Sequence, residues 1–155
     1  IPVRWTSPSG FLVVQDYAKW RARRLKLRIG DAIRYSRYLE DLDEVDRKKS
    51  ANGIAPNFVH SIDAACLVRV VNAMNEHVPG ACVQVVHDAF GTHAADMPRL
   101  SVQVRESYRE VFSDDLLSRA FEQFNEAIPG GIPPPPGWRG TLDRSELDRS
   151  DYFFA

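Results

Sequence analysis

Apolar and basic side chains alternate without a break from Arg24 to Ile29. Leu25, Leu27 and Ile29 fall on one side, and Arg24, Lys26 and Arg28 on the other. A period of two is that of a half-buried β-strand. Gly30 and Asp31 supply a turn and Ala32 to Leu39 reads as a returning strand, so the pattern predicts a hairpin with one basic face. Phe11 to Tyr17, rich in β-branched residues, predicts another strand. Before it, Trp5-Thr6-Ser7-Pro8-Ser9-Gly10 reads as a turn punctuated by Pro and Gly. The highly charged stretch from Glu40 to Lys49 is expected to be loop running into helix.

The period then changes. Phe58, Ile62, Ala65, Cys66, Val70 and Ala73 recur at helical spacing. Pro56 suits a first helical turn, and Val78-Pro79-Gly80 ends the helix. Ala81 to Val86 is short and nearly all apolar, which predicts a buried strand. Pro98 opens a second helix carrying Leu100, Val104, Tyr108, Val111 and Phe112. Ser113-Asp114-Asp115 caps a third, with Leu116, Leu117, Ala120, Phe121 and Phe124. The class is α+β. Residues 129–137 contain four consecutive prolines, which favour extended polyproline II and forbid helix. They divide the chain into residues 1–128, a linker at 129–137 and a tail at 138–155.

With 155 residues, 44% of them hydrophobic, the chain can build a core of its own. Its uninterrupted apolar runs, such as Phe11-Leu12-Val13-Val14, fall short of a membrane span, and no signal pattern opens it. It starts at Ile1 without Met, which reads as a processed, trimmed or fragmentary chain. Cys66 and Cys82 lie in apolar segments without metal-site spacing and are expected to be buried, reduced thiols.

The net charge is −1, which does not describe a polyanion binder. The distribution differs from the total. Of 20 basic residues, ten fall between Arg21 and Lys49: Arg21, Arg23, Arg24, Lys26, Arg28, Arg34, Arg37, Arg47, Lys48 and Lys49. Charge alone fits either a surface that tracks phosphates or a solvated strand face.

His87-Asp88, directly after an apolar strand, is the sharpest chemical signal. A carboxylate on a rigid strand end can hold Mg²⁺ for phosphoryl transfer. It can equally be an ordinary turn residue that caps its own backbone. His60 follows Pro56-Asn57-Phe58-Val59, where a histidine is usually structural and Asn57 could be a cap. Asp16, Asp63 and Asp96 lack a comparable setting, so local chemistry falls short of a complete active site. The chain carries no Gly-rich phosphate loop, no zinc-protease helix motif and no nucleophile elbow.

Four blocks, in order, resemble the single-subunit RNA polymerases of bacteriophages and mitochondria. Trp5-Thr6-Ser7-Pro8-Ser9-Gly10 with Val13, Gln15 and Tyr17 is similar to the family's Trp-x-Thr-Pro-x-Gly-x-x-Val-x-Gln-x-Tyr block. Asn52-Gly53-Ile54-Ala55-Pro56-Asn57-Phe58-Val59-His60-Ser61 is nearly the family signature as it stands. His87-Asp88-Ala89-Phe90-Gly91-Thr92 resembles His-Asp-Ser-Phe-Gly-Thr, with Ala89 for Ser. The tail from Gly140, with Leu142, Leu147, Ser150, Asp151, Phe154 and Ala155, resembles the family's ending in Phe-Ala.

The resemblance implies part of a polymerase palm: a β-hairpin carrying the metal-binding Asp, flanked by helices, with an extended C-terminal tail. It implies that Asp88 is the second of two catalytic Asp residues that hold Mg²⁺. His60 would lie near the RNA primer terminus and incoming nucleotide, and His87 beside the metal. Phe154 and Ala155 would form a C-terminal foot near the chemistry, with Phe153 standing where the family has a small residue. Arg24, Lys26 and Arg28 become candidates for the nucleic-acid backbone. The first catalytic Asp, the fingers helix and the promoter-binding parts have no counterpart here. The chain is therefore expected to polymerise only with the upstream part of the enzyme, using a DNA template, nascent RNA and ribonucleoside triphosphates. The implied setting is the cytoplasm of an infected bacterium, or alternatively the mitochondrial matrix, with no membrane partner. Two other readings compete: a palm fragment of a family A DNA polymerase, and a non-catalytic nucleic-acid-binding module built on the Arg21–Arg37 hairpin. In isolation, a palm piece should expose apolar surface that its missing neighbours would cover.

Overall fold

The computed structural model describes residues 2–134, 137, 140–141 and 143–150. Among these residues the fold is α+β, with three two-stranded sheets and three α-helices. In chain order the elements are β1 (Val3–Thr6), β2 (Leu12–Gln15), β3 (Ala18–Ile29), β4 (Ala32–Val45) and α1 (Arg47–His77). There follow β5 (Gln84–Val86), β6 (Ala89–Gly91), α2 (Met97–Val111) and α3 (Leu116–Ala127). Short 3₁₀ segments cover Ala94–Asp96 and Arg144–Asp148. The pairs are β1–β2, β3–β4 and β5–β6. The residues cluster into two compact units, one of residues 1–3 and 14–55 and one of residues 4–13 and 56–155.

In the first unit the alternating segment forms the predicted hairpin, and a longer one than the pattern required. β3 and β4 pair in register from Ile29↔Ala32 to Trp20↔Asp41. Gly30 occupies the first position of the two-residue turn with φ +60°, a conformation glycine adopts without steric cost. The register slips between Ala18 and Trp20. There Asp43 takes φ +52° while its N–H donates to Asp41 Oδ1 at 3.0 Å, a local bulge closed by a side chain. The expected half-buried face is not buried. Leu25, Leu27 and Ile29 are 44%, 42% and 66% exposed, because the β3–β4 sheet is two-stranded and such a ribbon buries little on its own.

The charged stretch after Glu40 is strand up to Val45, not loop, and the helix begins at Arg47, well before Pro56. Asp46 explains the early start: its Oδ1 accepts from Lys49 N–H at 3.0 Å, a helix N-cap. Pro56 therefore lies inside α1, where it removes one backbone hydrogen bond. One of the points where the chain passes between the two compact units falls between Ala55 and Pro56. The start of α1 is tied down by Gln15, whose Nε2 donates to Ser50 O at 2.5 Å, and by Tyr17, whose carbonyl accepts from Asp46 N–H at 2.7 Å. The Tyr17 ring lies against α1 at Gly53, with the Lys49 ammonium 5.0 Å from its centroid.

The second unit holds the main core. Val70 and Met74 of α1 pack on Leu100 and Val104 of α2, joined by Val78, Ala81, Val83, Phe90 and Tyr108. A neighbouring cluster joins Ile62 and Cys66 to Val111, with Phe58, Tyr108 and Leu116. Trp5, expected in a turn, is in β1 and 2% exposed. Its Nε1 donates to Ser61 Oγ at 2.9 Å and its ring meets Phe124 edge-on at 6.0 Å. The two later helices start where the sequence predicts. Pro98 lies in the first turn of α2, and Asp115 Oδ1 accepts from Ser118 N–H at 3.1 Å at the head of α3. One stretch of α1 is long and apolar enough to cross a membrane, which the uninterrupted runs did not signal. Its buried residues Ile62, Cys66, Val70 and Met74 are the ones that pack against α2.

The close contact at Gly53 gives a test with an unusual sign. A Cβ at residue 53 would meet Tyr17 Cε2 at 2.8 Å. Ordinarily Gly→Ala in a helix stabilises by up to about 1 kcal/mol. Here Gly53→Ala should lower the unfolding free energy by about 1 kcal/mol through overpacking, as read by urea denaturation. In a Tyr17→Ala background the same change should become stabilising. An effect of the same sign in both backgrounds would remove the contact from the account.

Candidate active site

The segment before His87 is less regular than its apolar sequence suggests. Only Gln84–Val86 forms strand, and Val86 is 54% exposed, so the expected buried strand is a short, exposed hairpin arm. What holds it is the flanking chain. Val83 and Phe90 pack on the α1–α2 core, Val85 pairs with Phe90, and Thr92 Oγ1 donates to Cys82 O at 2.8 Å. Val86 pairs with Ala89, which leaves His87 and Asp88 as the complete two-residue turn.

That turn is strained. His87 has φ +55°, in the left-handed region, at the turn position where the β3–β4 hairpin uses Gly30. A side chain held there costs about 1–3 kcal/mol. The result is a histidine and a carboxylate projecting side by side into solvent from an anchored hairpin. Among the described residues neither side chain makes a hydrogen bond, so both are available to an outside ligand.

His60 is also exposed, on α1, and has no hydrogen-bond partner among the described residues. Asp63 lies one turn further along that helix. Tyr108 of α2 packs against both core clusters, and the charges of Asp63 and Asp88 both act to raise its hydroxyl. Burial first, then the nearby Cys66, Asp63 and Asp88, pushes the Tyr108 hydroxyl up to about 12. The sequence marked Tyr108 only as a core position and left Asp63 without a setting. The spacing of Asp63 from His60, three residues along a helix, was the signal available for it.

An exposed carboxylate is a suitable hard oxygen ligand for Mg²⁺. Among the described residues no group of three potential metal ligands converges. Asp88 therefore fits as one ligand of a divalent ion and does not build a centre on its own.

Arg24, Lys26 and Arg28 share one face of the β3–β4 hairpin, as predicted, and Arg37 lies opposite Arg24. The Arg24 guanidinium sits 4.1 Å above the Tyr35 ring. The other face is basic too, with Arg21, Arg23 and Arg34, of which Arg23 is paired with Glu40 at 2.6 Å. Among the described residues, no acid pairs with Arg24 or Lys26. Phe154 and Ala155 lie outside the described residues.

The profile of the DNA-dependent RNA polymerases matches residues 1–134. The chain belongs to that family. It is 33% identical over 153 residues to DNA-directed RNA polymerase 1A of Nicotiana tabacum, covering 99% of this chain and 95% of that one. It is 34% identical over 155 residues to the DNA-directed RNA polymerase of Pseudomonas phage phiKMV, and 32% identical over 152 residues to the chloroplastic/mitochondrial DNA-directed RNA polymerase 2 of Arabidopsis thaliana. The matched region is 18% of the phage protein and 14% of the Arabidopsis one, so the chain spans a small part of their length. These relatives place it with the single-subunit polymerases of phages and organelles, which are nucleotidyltransferases.

The two thiols differ, against the expectation that both are buried. Cys66 is fully buried on α1, and its pKa is raised to about 11 by burial and then by Asp63. Cys82 is exposed, because it precedes β5 and lies outside the strand. At pH 8, a thiol reagent should modify Cys82 quickly and Cys66 only on unfolding. Equal native rates would contradict the burial. Both raised groups favour their neutral forms in the folded state. Their contribution to stability is complete below pH 9 and is lost as pH rises towards 11 for Cys66, and between pH 10 and 12 for Tyr108.

Proposed function

We propose that this chain is the C-terminal palm segment of a single-subunit RNA polymerase, and that Asp88 is a metal-binding carboxylate at the site where ribonucleotides are joined to an RNA 3′ end. The observation that carries the reading is the strained His87-Asp88 turn. A two-residue hairpin turn is cheapest with glycine at its first position, yet a histidine stands there with φ +55°. Strain retained at an exposed turn that makes no side-chain hydrogen bond among the described residues points to a functional constraint. The same two residues open the block that resembles the family's catalytic motif.

In this reading Asp88 supplies one oxygen ligand to Mg²⁺, and the remaining ligands come from the upstream part of the polymerase. Bound there, the ion would neutralise charge on the reacting phosphate oxygens and lower the pKa of the RNA 3′-hydroxyl. His87, fixed by the turn, contacts the RNA end or the nucleotide. His60 lies on the minor-groove side of the primer terminus, where RNA and DNA geometry differ. Arg24 and Lys26, which no acid pairs among the described residues, and Arg28, which shares its charge with Asp31 at 4.0 Å, offer positive charge to a nucleic-acid backbone. Residues 129–137 link this palm segment to a C-terminal foot that includes Phe154 and Ala155. DNA template, nascent RNA and ribonucleoside triphosphates are the partners. The relatives' phage and organellar origins make an infected bacterium or an organelle the setting.

The test is Mg²⁺-dependent, template-directed ribonucleotide incorporation. The chain alone should be inactive, and the chain joined to the upstream polypeptide should be active. Asp88→Asn in that complex should reduce incorporation by about a thousandfold, while nucleic-acid binding and its salt dependence stay unchanged. Synthesis retained in the Asp88→Asn complex would refute the assignment and favour the non-catalytic binding module. A second prediction separates strain from stability. His87→Gly should stabilise the protein by about 1 kcal/mol, because glycine tolerates positive φ, and should lower incorporation. A variant that is both more stable and fully active would mean that the imidazole has no role.

A further inference from the structure

We propose that the polar cleft between α1 and α2 is a binding site for a guanidinium group. The cleft has a volume of about 670 Å³ and lies beside the Pro8-Ser9 turn. All of its lining belongs to the second compact unit. From α1 it is lined by Arg69, Asn72, Glu76 and His77, and from α2 by Gln103, Glu106, Ser107 and Glu110. These positions recur every three or four residues, so each helix turns one polar stripe towards the gap.

Two buried side chains point to a ligand. Ser107 is 4% exposed and Gln103 is 2% exposed, and both line the cleft. Among the described residues Ser107 Oγ makes no hydrogen bond. Gln103 uses only its Nε2, which donates to Glu106 Oε2 at 3.0 Å. An ionised carboxylate only accepts, so the atom facing it is the amide nitrogen and Gln103 Oε1 is left as an acceptor. A buried hydroxyl and a buried amide oxygen cost free energy unless something that enters the cleft satisfies them.

The surrounding groups set the charge of that ligand. Glu110 pairs with Arg69 across the cleft, and Arg109, also in the lining, has a partner of its own. Glu76 makes no ion pair or hydrogen bond among the described residues, and Glu106 only the bond from Gln103. His77 Nδ1 lies 2.8 Å from the carbonyl of Ala73, so Nδ1–H donates there and Nε2 of the neutral ring is an acceptor. Unused acceptors therefore outnumber unused donors, and two carboxylates lack a cation among the described residues. No three of these groups converge on a metal position among the described residues. The ligand has to bring positive charge and several N–H groups. An alkyl guanidinium has five in one plane, and its weakly hydrated faces suit the apolar Val68 and Ala73 in the same lining. The Arg69–Glu110 pair is the same contact already made within the chain. Two sources carry this chemistry: a small guanidinium compound, and an arginine side chain of the upstream polypeptide. The site itself does not depend on the catalytic reading; only the second source does.

Titration of the full chain with methylguanidinium, followed by nuclear magnetic resonance, tests the site. The side-chain NH₂ signals of Asn72 and Gln103, and the backbone amides of residues 72–77 and 103–110, should shift saturably with a dissociation constant of roughly a few millimolar. Tetramethylammonium, which carries the charge without N–H donors, should bind about tenfold more weakly. Glu106→Gln keeps an acceptor for Gln103 Nε2 and removes the charge. It should weaken binding about tenfold while the rest of the spectrum stays native, and Glu76→Gln should do the same from the other helix. Shifts that do not saturate, equal affinity for tetramethylammonium, or unchanged affinity in both variants would overturn the proposal and leave water as what fills the cleft. The titration is then repeated on the chain joined to the upstream polypeptide. Reporters already shifted and unresponsive support an upstream arginine as the occupant, and reporters that still respond support a free cation. Failure of the two pieces to associate would count against the polymerase reading and leave the first titration standing.

Discussion

The packing of Val83 and Phe90 onto the α1–α2 core is the contact on which the candidate chemistry depends. A two-residue turn on a pair of three-residue strands has almost no stability of its own. Here it stays in place because Val70, Met74, Leu100 and Val104 form an apolar seat and Phe90, paired with Val85, is drawn into it. The hydrophobic term that buries Phe90 also offsets the backbone strain at His87. Tyr108 extends the same surface, joining the two clusters while its hydroxyl lies under the influence of Asp63 and Asp88.

Two features lack a complement among the described residues. The β3–β4 hairpin is exposed on both faces and carries Arg24 and Lys26, which no acid pairs among the described residues, beside exposed Leu25, Ile29 and Ile33. The Asp88 turn presents one good oxygen ligand where a catalytic metal site needs several. The relatives from phage phiKMV and Arabidopsis are several times longer than the matched region, whereas the Nicotiana tabacum polymerase 1A is matched over 95% of its length.

Much of the fold was legible because periodicity reports which face of an element is apolar. The hairpin turn at Gly30-Asp31, the end of α1 at Val78, and the starts of α2 at Pro98 and α3 after Asp115 all follow from local backbone chemistry. The misreadings share a cause. Leu25 and Leu27 alternate like a half-buried strand, but alternation records an apolar face and not whether anything covers it. Ala81 to Val86 is apolar enough for a buried strand, yet only its flanks reach the core. Pro56 suits a helix start, but the Asp46 cap lies upstream and the tertiary packing of α1 tolerates the missing hydrogen bond.

Residue identity and spacing alone determined the α+β class, the family and the candidate residues His60, His87 and Asp88, because these rest on short-range pattern and on chemistry carried by single side chains. Tertiary structure alone decided that Cys82 is exposed, that Tyr108 packs against both core clusters, and that Arg105 reaches a carbonyl 42 residues away. Burial and long-range polar contacts depend on which distant segments meet in space, and no local pattern of residues encodes that.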